Sequence, residues 1–229
     1  KSHFDASDAR NAGATVVNMH HNTLWNPYIN YPYNDDGGPL LKRAVKRAHD
    51  AGLLLKIYYT TRELTNNLPE FFALLSLDGE IFQKRDESVK GWPVTNRNGP
   101  NKWLLDHVGE GILPAWRENV RFGKFYPPRL DLAVITAPSE RWDNFYLEGL
   151  DHLVRNYGID GLYVDDSSLA PESMQRARRI LDRDGKRRLI DHHSGSHHGK
   201  RMGRGTSNTR FIDLYPYFDR LWRGEGFHN

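Results

Sequence analysis

The chain has 229 residues, 38% of them hydrophobic, which is enough for one sizeable core and is an ordinary globular composition. Its 32 Lys and Arg against 29 Asp and Glu leave a formal charge of +3, too mild and too scattered to imply a nucleic-acid partner. With no cysteine, disulfides, thiolate metal sites and cysteine nucleophiles are excluded, and with no run of about eighteen apolar residues a transmembrane helix and membrane insertion are excluded too.

Lys1-Ser-His-Phe-Asp-Ala lacks the apolar core of a signal peptide and begins without methionine, so the chain is expected to start inside a longer protein. Asp5 to Asn11 reads as a helix, and Ala14 to His21 as a strand. Trp25 to Tyr33 is too polar and too broken by proline for either, and reads as a loop at the mouth of a site. A helix is expected from Gly38 to Gly52, opened by Pro39 and stopped by glycine. Leu53 to Thr60 is the next strand, Asn67 to Leu75 a helix, and Lys102 to His107 a third strand.

Residues 109–138 lose any clean period and read as one elaborated loop near the active site, with a short strand at Leu132 to Ile135. Ser139 caps a helix running to Tyr157. A strand over Gly161 to Asp166, a helix over Pro171 to Leu181, a strand over Arg188 to His193, a helical stretch near Phe211 to Phe218 and a strand over Arg220 to Glu225 complete the order.

Strands alternating with helices are the pattern of an α/β fold built from parallel βα units. Six strands, about six of the eight βα units of a (β/α)8 TIM-type barrel, predict a single partial barrel over 1–229, lacking the first and last strands. A doubly wound open sheet fits less well, because no Gly-x-Gly-x-x-Gly turn follows the first strand.

In such a barrel the carboxyl ends of the strands carry the site. Those ends hold Asn18, His20 and His21; Tyr59, Thr60, Arg62 and Glu63; Asp106 and His107; Asp165 and Asp166; Asp191 and His193; and Glu225. Residues two apart on a strand share a face, so Leu162 and Val164 turn to the helices while Tyr163 and Asp165 turn to the barrel axis. Asp191 pairs with His193 by the same count, and Glu225 with Leu221 and Arg223.

Cleaving a glycosidic bond takes one carboxyl to protonate the leaving oxygen and another to act as nucleophile, base or partner to an attacking substrate group. Asp165, Asp166 and Glu225 are the candidates for that chemistry, which needs neither cofactor nor metal. His20, His21, Asn26, Tyr28, Tyr59, Arg62, Asp106, His107, Tyr163, Asp191, His193 and Trp222 are the candidates for binding a glycan, the aromatic ones by stacking on sugar C–H faces.

The blocks Asn26-Pro-Tyr-Ile-Asn-Tyr-Pro32, Lys56-Ile-Tyr-Tyr-Thr-Thr-Arg-Glu-Leu64, Ser139 to Gly149, Gly158-Ile-Asp-Gly-Leu-Tyr-Val-Asp-Asp166, Ile190-Asp-His-His-Ser194 and Leu221-Trp-Arg-Gly-Glu-Gly-Phe227 occur in this order. Together they resemble the catalytic barrels of bacterial proteins related to glycoside hydrolase family 123. The resemblance implies a secreted or periplasmic glycosidase of polysaccharide breakdown, with a further strand and helix beyond each end. It also implies a retaining mechanism in which the substrate's acetamido group attacks, assisted by adjacent Asp and Glu. Here that pair is Asp165-Asp166, and Glu225 is available for the missing function.

Two other readings compete. A metal-dependent hydrolase would gather His20, His21, His107, His192, His193, His197 and His198 with Asp165 or Asp191, although adjacent strand histidines point to opposite faces. A noncatalytic barrel would bind carbohydrate and leave it intact.

Overall fold

The structure, a computed structural model, describes residues 5–21, 28–34, 37–84, 112–120, 129–165, 168–194 and 208–223. In chain order the elements are α1 (Ala6–Asn11), β1 (Val16–Met19), α2 (Gly38–Asp50), β2 (Leu54–Tyr58), β3 (Glu63–Thr65), α3 (Phe71–Leu75), β4 (Pro114–Val120), β5 (Arg129–Ile135), α4 (Glu140–Tyr157), β6 (Gly161–Asp165), α5 (Pro171–Leu181), β7 (Leu189–Ser194), a 3-10 segment (Asn208–Tyr217) and β8 (Arg220–Arg223). The long helices start and stop for local reasons. α2 has Pro39 in its first turn, where no backbone donor is needed, and buries Leu41, Ala44, Val45 and Ala48 along one stripe. In α4 the Ser139 hydroxyl accepts from Trp142 N at 3.1 Å, and Gly158 ends the helix at φ 71°.

Five strands form one parallel sheet in the order β1-β2-β6-β7-β8. The register aligns Asn18 with Lys56, Tyr58 with Tyr163, Asp165 with His193, and His193 with Trp222. Six parallel strands were expected; five are present among the described residues, and the strand expected over 102–107 lies outside them. One face of the sheet buries Leu55, Ile57, Leu162, Val164 and Ile190 against Leu41, Val45, Leu150, Leu153, Met174 and Leu181 of the helices. Each such side chain contributes about 1.5 to 3 kcal/mol by leaving water, so this layer carries the stability. No helix among the described residues is long and apolar enough to cross a membrane.

The expectation of one elaborated loop over 109–138 needs correction. β4 and β5 are an antiparallel pair, and β5 also pairs with β3, giving a second sheet of order β3-β5-β4. The short strand expected at Leu132 to Ile135 is the end of β5, and both of its faces are buried: Leu132 and Val134 join the main core, while Ala133 and Ile135 pack with Ile29, Leu113 and Ala115.

This small sheet is fastened to the loop 28–34. Asp131 accepts from Ile29 N at 2.9 Å, from Asn67 Nδ2 at 3.1 Å and from the Thr65 hydroxyl. Burial pushes its carboxyl above the ordinary value, and those three donors oppose the rise. Asn30, in the left-handed region at φ 56°, accepts from Thr60 N at 2.8 Å and donates to Glu63 O at 2.6 Å. The turn between β2 and β3 is thereby held at both ends.

Gly161 opens β6 at φ 157°, and a Cβ there would overlap the backbone oxygen of Leu189 in the paired strand. That oxygen belongs to the sheet and cannot move aside. Gly161→Ala should therefore cost at least about 2 kcal/mol, whereas Gly185→Ala, left-handed at φ 75° but in open space, should cost about 1 kcal/mol. Urea denaturation midpoints of the two variants check the difference.

Candidate active site

The face of the parallel sheet opposite the helices carries the polar residues in two tiers, as the register dictates. Lys56, Tyr58, Tyr163, Asp191 and Arg220 lie lower on their strands, while Asp165, His193 and Trp222 align at the carboxyl ends. At that end the chain passes from β2 into Thr60, which locks onto β6: its hydroxyl donates to Asp165 O at 2.8 Å and accepts from Asp165 N at 3.0 Å.

Asp165 is the centre of the upper tier. Arg62 Nη2 donates to its Oδ2 at 2.9 Å, His193 Nδ1 lies 2.6 Å from its Oδ1, and the Tyr58 hydroxyl lies 3.2 Å from Oδ2. Burial works against its ionisation, but the Arg62 charge, the bond and charge of His193 and the Tyr58 bond together hold the carboxyl well below the usual carboxylate range. Asp165 is therefore ionised at neutral pH.

Arg62 is shared. Its Nε donates to Glu63 Oε2 at 3.0 Å, and Glu63, 0% exposed, also receives the Tyr58 hydroxyl at 2.8 Å. Burial, then the charges of Glu63 and Asp165, push the Tyr58 hydroxyl well above its ordinary value, so it keeps its proton. One proton between two carboxylates can serve only one of them at a time.

The lower tier is a second buried ion pair. Lys56 Nζ donates to Asp191 Oδ2, and both residues are 1% exposed. Burial pulls the Lys56 ammonium below its ordinary value, and Asp191 resists the fall. Asp191 also accepts from Trp222 Nε1 at 2.8 Å.

Above these charges lies an aromatic floor. His20 sits 5.2 Å from both Tyr58 and Tyr163, Tyr58 stacks on Tyr163 at 5.9 Å, and Tyr163 stacks on His193 at 5.7 Å. His21 meets the edge of Tyr58 at 4.7 Å.

The structure thus brings together His20, His21, Arg62, Tyr163, Asp165, Asp191, His193 and Trp222 on one face, but not all at its surface. Arg62 and Asp191 are buried, so they hold other groups and are not open to a ligand. Tyr59 is a correction: it faces the helices with Leu55 and Ile57, stacks on Tyr146 at 4.3 Å and exchanges hydroxyl-to-carbonyl bonds with it at 2.7 and 3.0 Å. Tyr28 is half-buried and packs on the core. His192, considered above as a metal ligand, is stacked on Phe218 at 4.6 Å in the core.

Asn26, Asp106, His107, Asp166 and Glu225 lie outside the described residues, as do His197 and His198. On β8, Arg220 and Trp222 are in register with Asp191 and His193, and Leu221 takes the other face. Sequence reasoning missed Lys56 and Tyr58. Counting back from Leu55 and Ile57 would have found both, and a lysine inside an otherwise apolar strand signals a buried partner.

The family described as Glycoside hydrolase 123, TIM-barrel domain, matches residues 1–229. No curated protein matches the chain. Among solved structures, an α-amylase from Geobacillus thermoleovorans, complexed with acarbose, is 12% identical with a TM-score of 0.54 over 94% of this chain and 43% of its own. The Anoxybacillus α-amylase is 13% identical (TM-score 0.54; 93% and 42% covered), and an α-amylase from Lactobacillus plantarum is 14% identical (TM-score 0.54; 95% and 47%). At these identities the likeness is one of fold, and the fold is the TIM barrel. The chain spans less than half the length of these structures.

The shared arginine makes a pH-dependent prediction. In the native protein the depressed Asp165 contributes stability that is present above the ordinary carboxylate value and is lost as pH falls below it. Without Arg62 burial dominates and the Asp165 carboxyl rises, so ionising it then costs stability as pH increases. Arg62→Met should lose about 3 to 5 kcal/mol at neutral pH, with a smaller deficit near pH 4.5, as read from urea unfolding at both pH values.

Proposed function

The chain belongs to the glycoside hydrolase 123 family as its TIM-barrel domain, and from that premise we propose that this protein cleaves a glycosidic bond of a glycan by carboxylate chemistry. The observation that carries the reading is the setting of Asp165, whose carboxyl is pinned between Arg62 and His193 at the carboxyl end of β6 and so favoured as an anion. A carboxyl that does not take up a proton cannot be the acid that protonates a leaving group. It suits the other role, the fixed negative partner of a group that becomes positive in the transition state.

For an N-acetylhexosamine substrate that group is the 2-acetamido nitrogen. The acetamido oxygen attacks the anomeric carbon as the glycosidic C–O bond breaks, and the leaving oxygen takes a proton from a second carboxyl. Asp165 accepts a hydrogen bond from the acetamido N–H and stabilises the positive charge of the cyclic intermediate. Water then adds at the anomeric carbon, returning a proton to the second carboxyl, with net retention of configuration.

Asp166, next in sequence, is the first candidate for the second carboxyl, although the family pattern has the longer Glu there. Glu225 is the alternative. The rings of His20, Tyr163 and His193, packed over the buried Tyr58, support a sugar ligand, since flat rings offer faces for its C–H groups. A barrel that only binds carbohydrate would have no developing positive charge for the Asp165 carboxylate, held by Arg62 and His193, to stabilise. Among the described residues no three His, Asp or Glu side chains form a metal-ligating group.

Asp165→Asn and Asp166→Asn should each lower kcat about a hundredfold or more on 4-nitrophenyl N-acetylhexosaminides. The matching 2-hydroxy arylglycosides should be poor substrates for the wild type. Unchanged turnover in Asp166→Asn would transfer the acid role to Glu225, and equal cleavage of the 2-hydroxy series would remove the acetamido mechanism.

A further inference from the structure

The buried Lys56–Asp191 pair has no part in the chemistry just described, and stability alone does not account for it. Two charges taken out of water lose more hydration than their attraction commonly returns, and apolar residues of similar size often serve as well or better. Both side chains nevertheless sit beneath the sheet face that carries Asp165.

What the pair touches suggests its use. The Asp191 carboxylate accepts from Lys56 and from Trp222 Nε1, and Arg220 Nη1 stands 3.9 Å away. An indole has one donor, so the bond to a buried, immobile carboxylate fixes the rotation of the ring, nitrogen edge down. The Arg220 guanidinium lies 5.6 Å from the ring centroid and steadies it from one side.

Trp222 itself is 44% exposed. A large aromatic ring anchored by buried charge yet left open to water is held out for something. It aligns with His193 and, one strand further, with Asp165, which puts it two strand spacings, or about 10 Å, across the face.

We infer that Asp191, through its pair with Lys56, is a positioning residue for Trp222, and that the indole is the wall on which the apolar face of a bound sugar stacks. The pair sets substrate affinity and leaves the chemical step alone. This rests on the glycosidase reading above.

The decisive variant is the double replacement Lys56→Met with Asp191→Leu, which removes both charges together and leaves neither unpaired. It should unfold at a urea concentration equal to or above that of the wild type. Its KM for 4-nitrophenyl N-acetylhexosaminide should nonetheless rise about tenfold, with kcat within about threefold. Trp222→Ala should reproduce that split, and Trp222→Phe, which keeps a ring but loses the anchor, should fall between. An unchanged KM in the double variant or in Trp222→Ala overturns the inference, as does a fall confined to kcat.

If the wild type turns over no arylglycoside, the glycosidase reading fails separately, and sugar binding decides this one. Titration with N-acetylglucosamine and N-acetylgalactosamine should quench the part of the fluorescence that Trp222→Phe removes, and the double variant should lose the response. No quenching in the wild type by either sugar overturns it.

Discussion

Arg62 stands between two carboxylates, Asp165 and Glu63, and the carboxyl end of the sheet is arranged around that one cation. Its charge is the largest of the influences that hold the Asp165 carboxyl below the ordinary carboxylate range against burial. Glu63 in turn fixes the guanidinium, since planar forks bind best when both edges are occupied. The turn carrying both residues is held by Asn30, and Asn30 is held in its left-handed conformation by the small antiparallel sheet docked through Asp131 and Ile29. The second sheet, which has no counterpart in the repeating βα pattern, thus serves to place one arginine.

The same economy appears one tier down. The helix-facing Leu55, Ile57, Leu162, Val164 and Ile190 are apolar and carry the free energy of folding, while charged groups on the other face are compatible with burial only in pairs. Lys56 with Asp191, and Arg62 with Asp165 and Glu63, satisfy that requirement locally. Neither pair recommends itself as a stabiliser. Both hold a group in a fixed position, a part-buried carboxylate in one case and an exposed indole in the other, which is the demand a binding face makes of its support.

Much of this was legible in the sequence. The helix over Pro171–Leu181 has the bounds its apolar stripe and first-turn proline require, Ser139 caps where expected, and alternation places Tyr163 and Asp165 on one face with Leu162 and Val164 on the other. Other elements were obscured for physical reasons. Of the β4–β5 pair only the end of β5 was expected, because β5 is buried on both sides and its antiparallel partner β4 follows no βα repeat. Tyr59 stands beside polar neighbours at a strand end and so resembles a site residue, but its parity with Leu55 and Ile57 sends it into the core. The pairing of Lys56 with Asp191 joins residues far apart in sequence, and only the register of three strands reveals it.

The account stands or falls on whether Asp165 is a fixed anion. Aspartate carboxyl 13C shifts, with the Asp165 signal identified by its loss in Asp165→Asn, measure this directly between about pH 3 and 8. The arrangement of Arg62, His193 and Tyr58 predicts a signal that stays at the ionised position throughout. An inflection at or above about pH 4 would mean that burial outweighs those partners, and the assignment of Asp165 as the anionic group of the site would be contradicted.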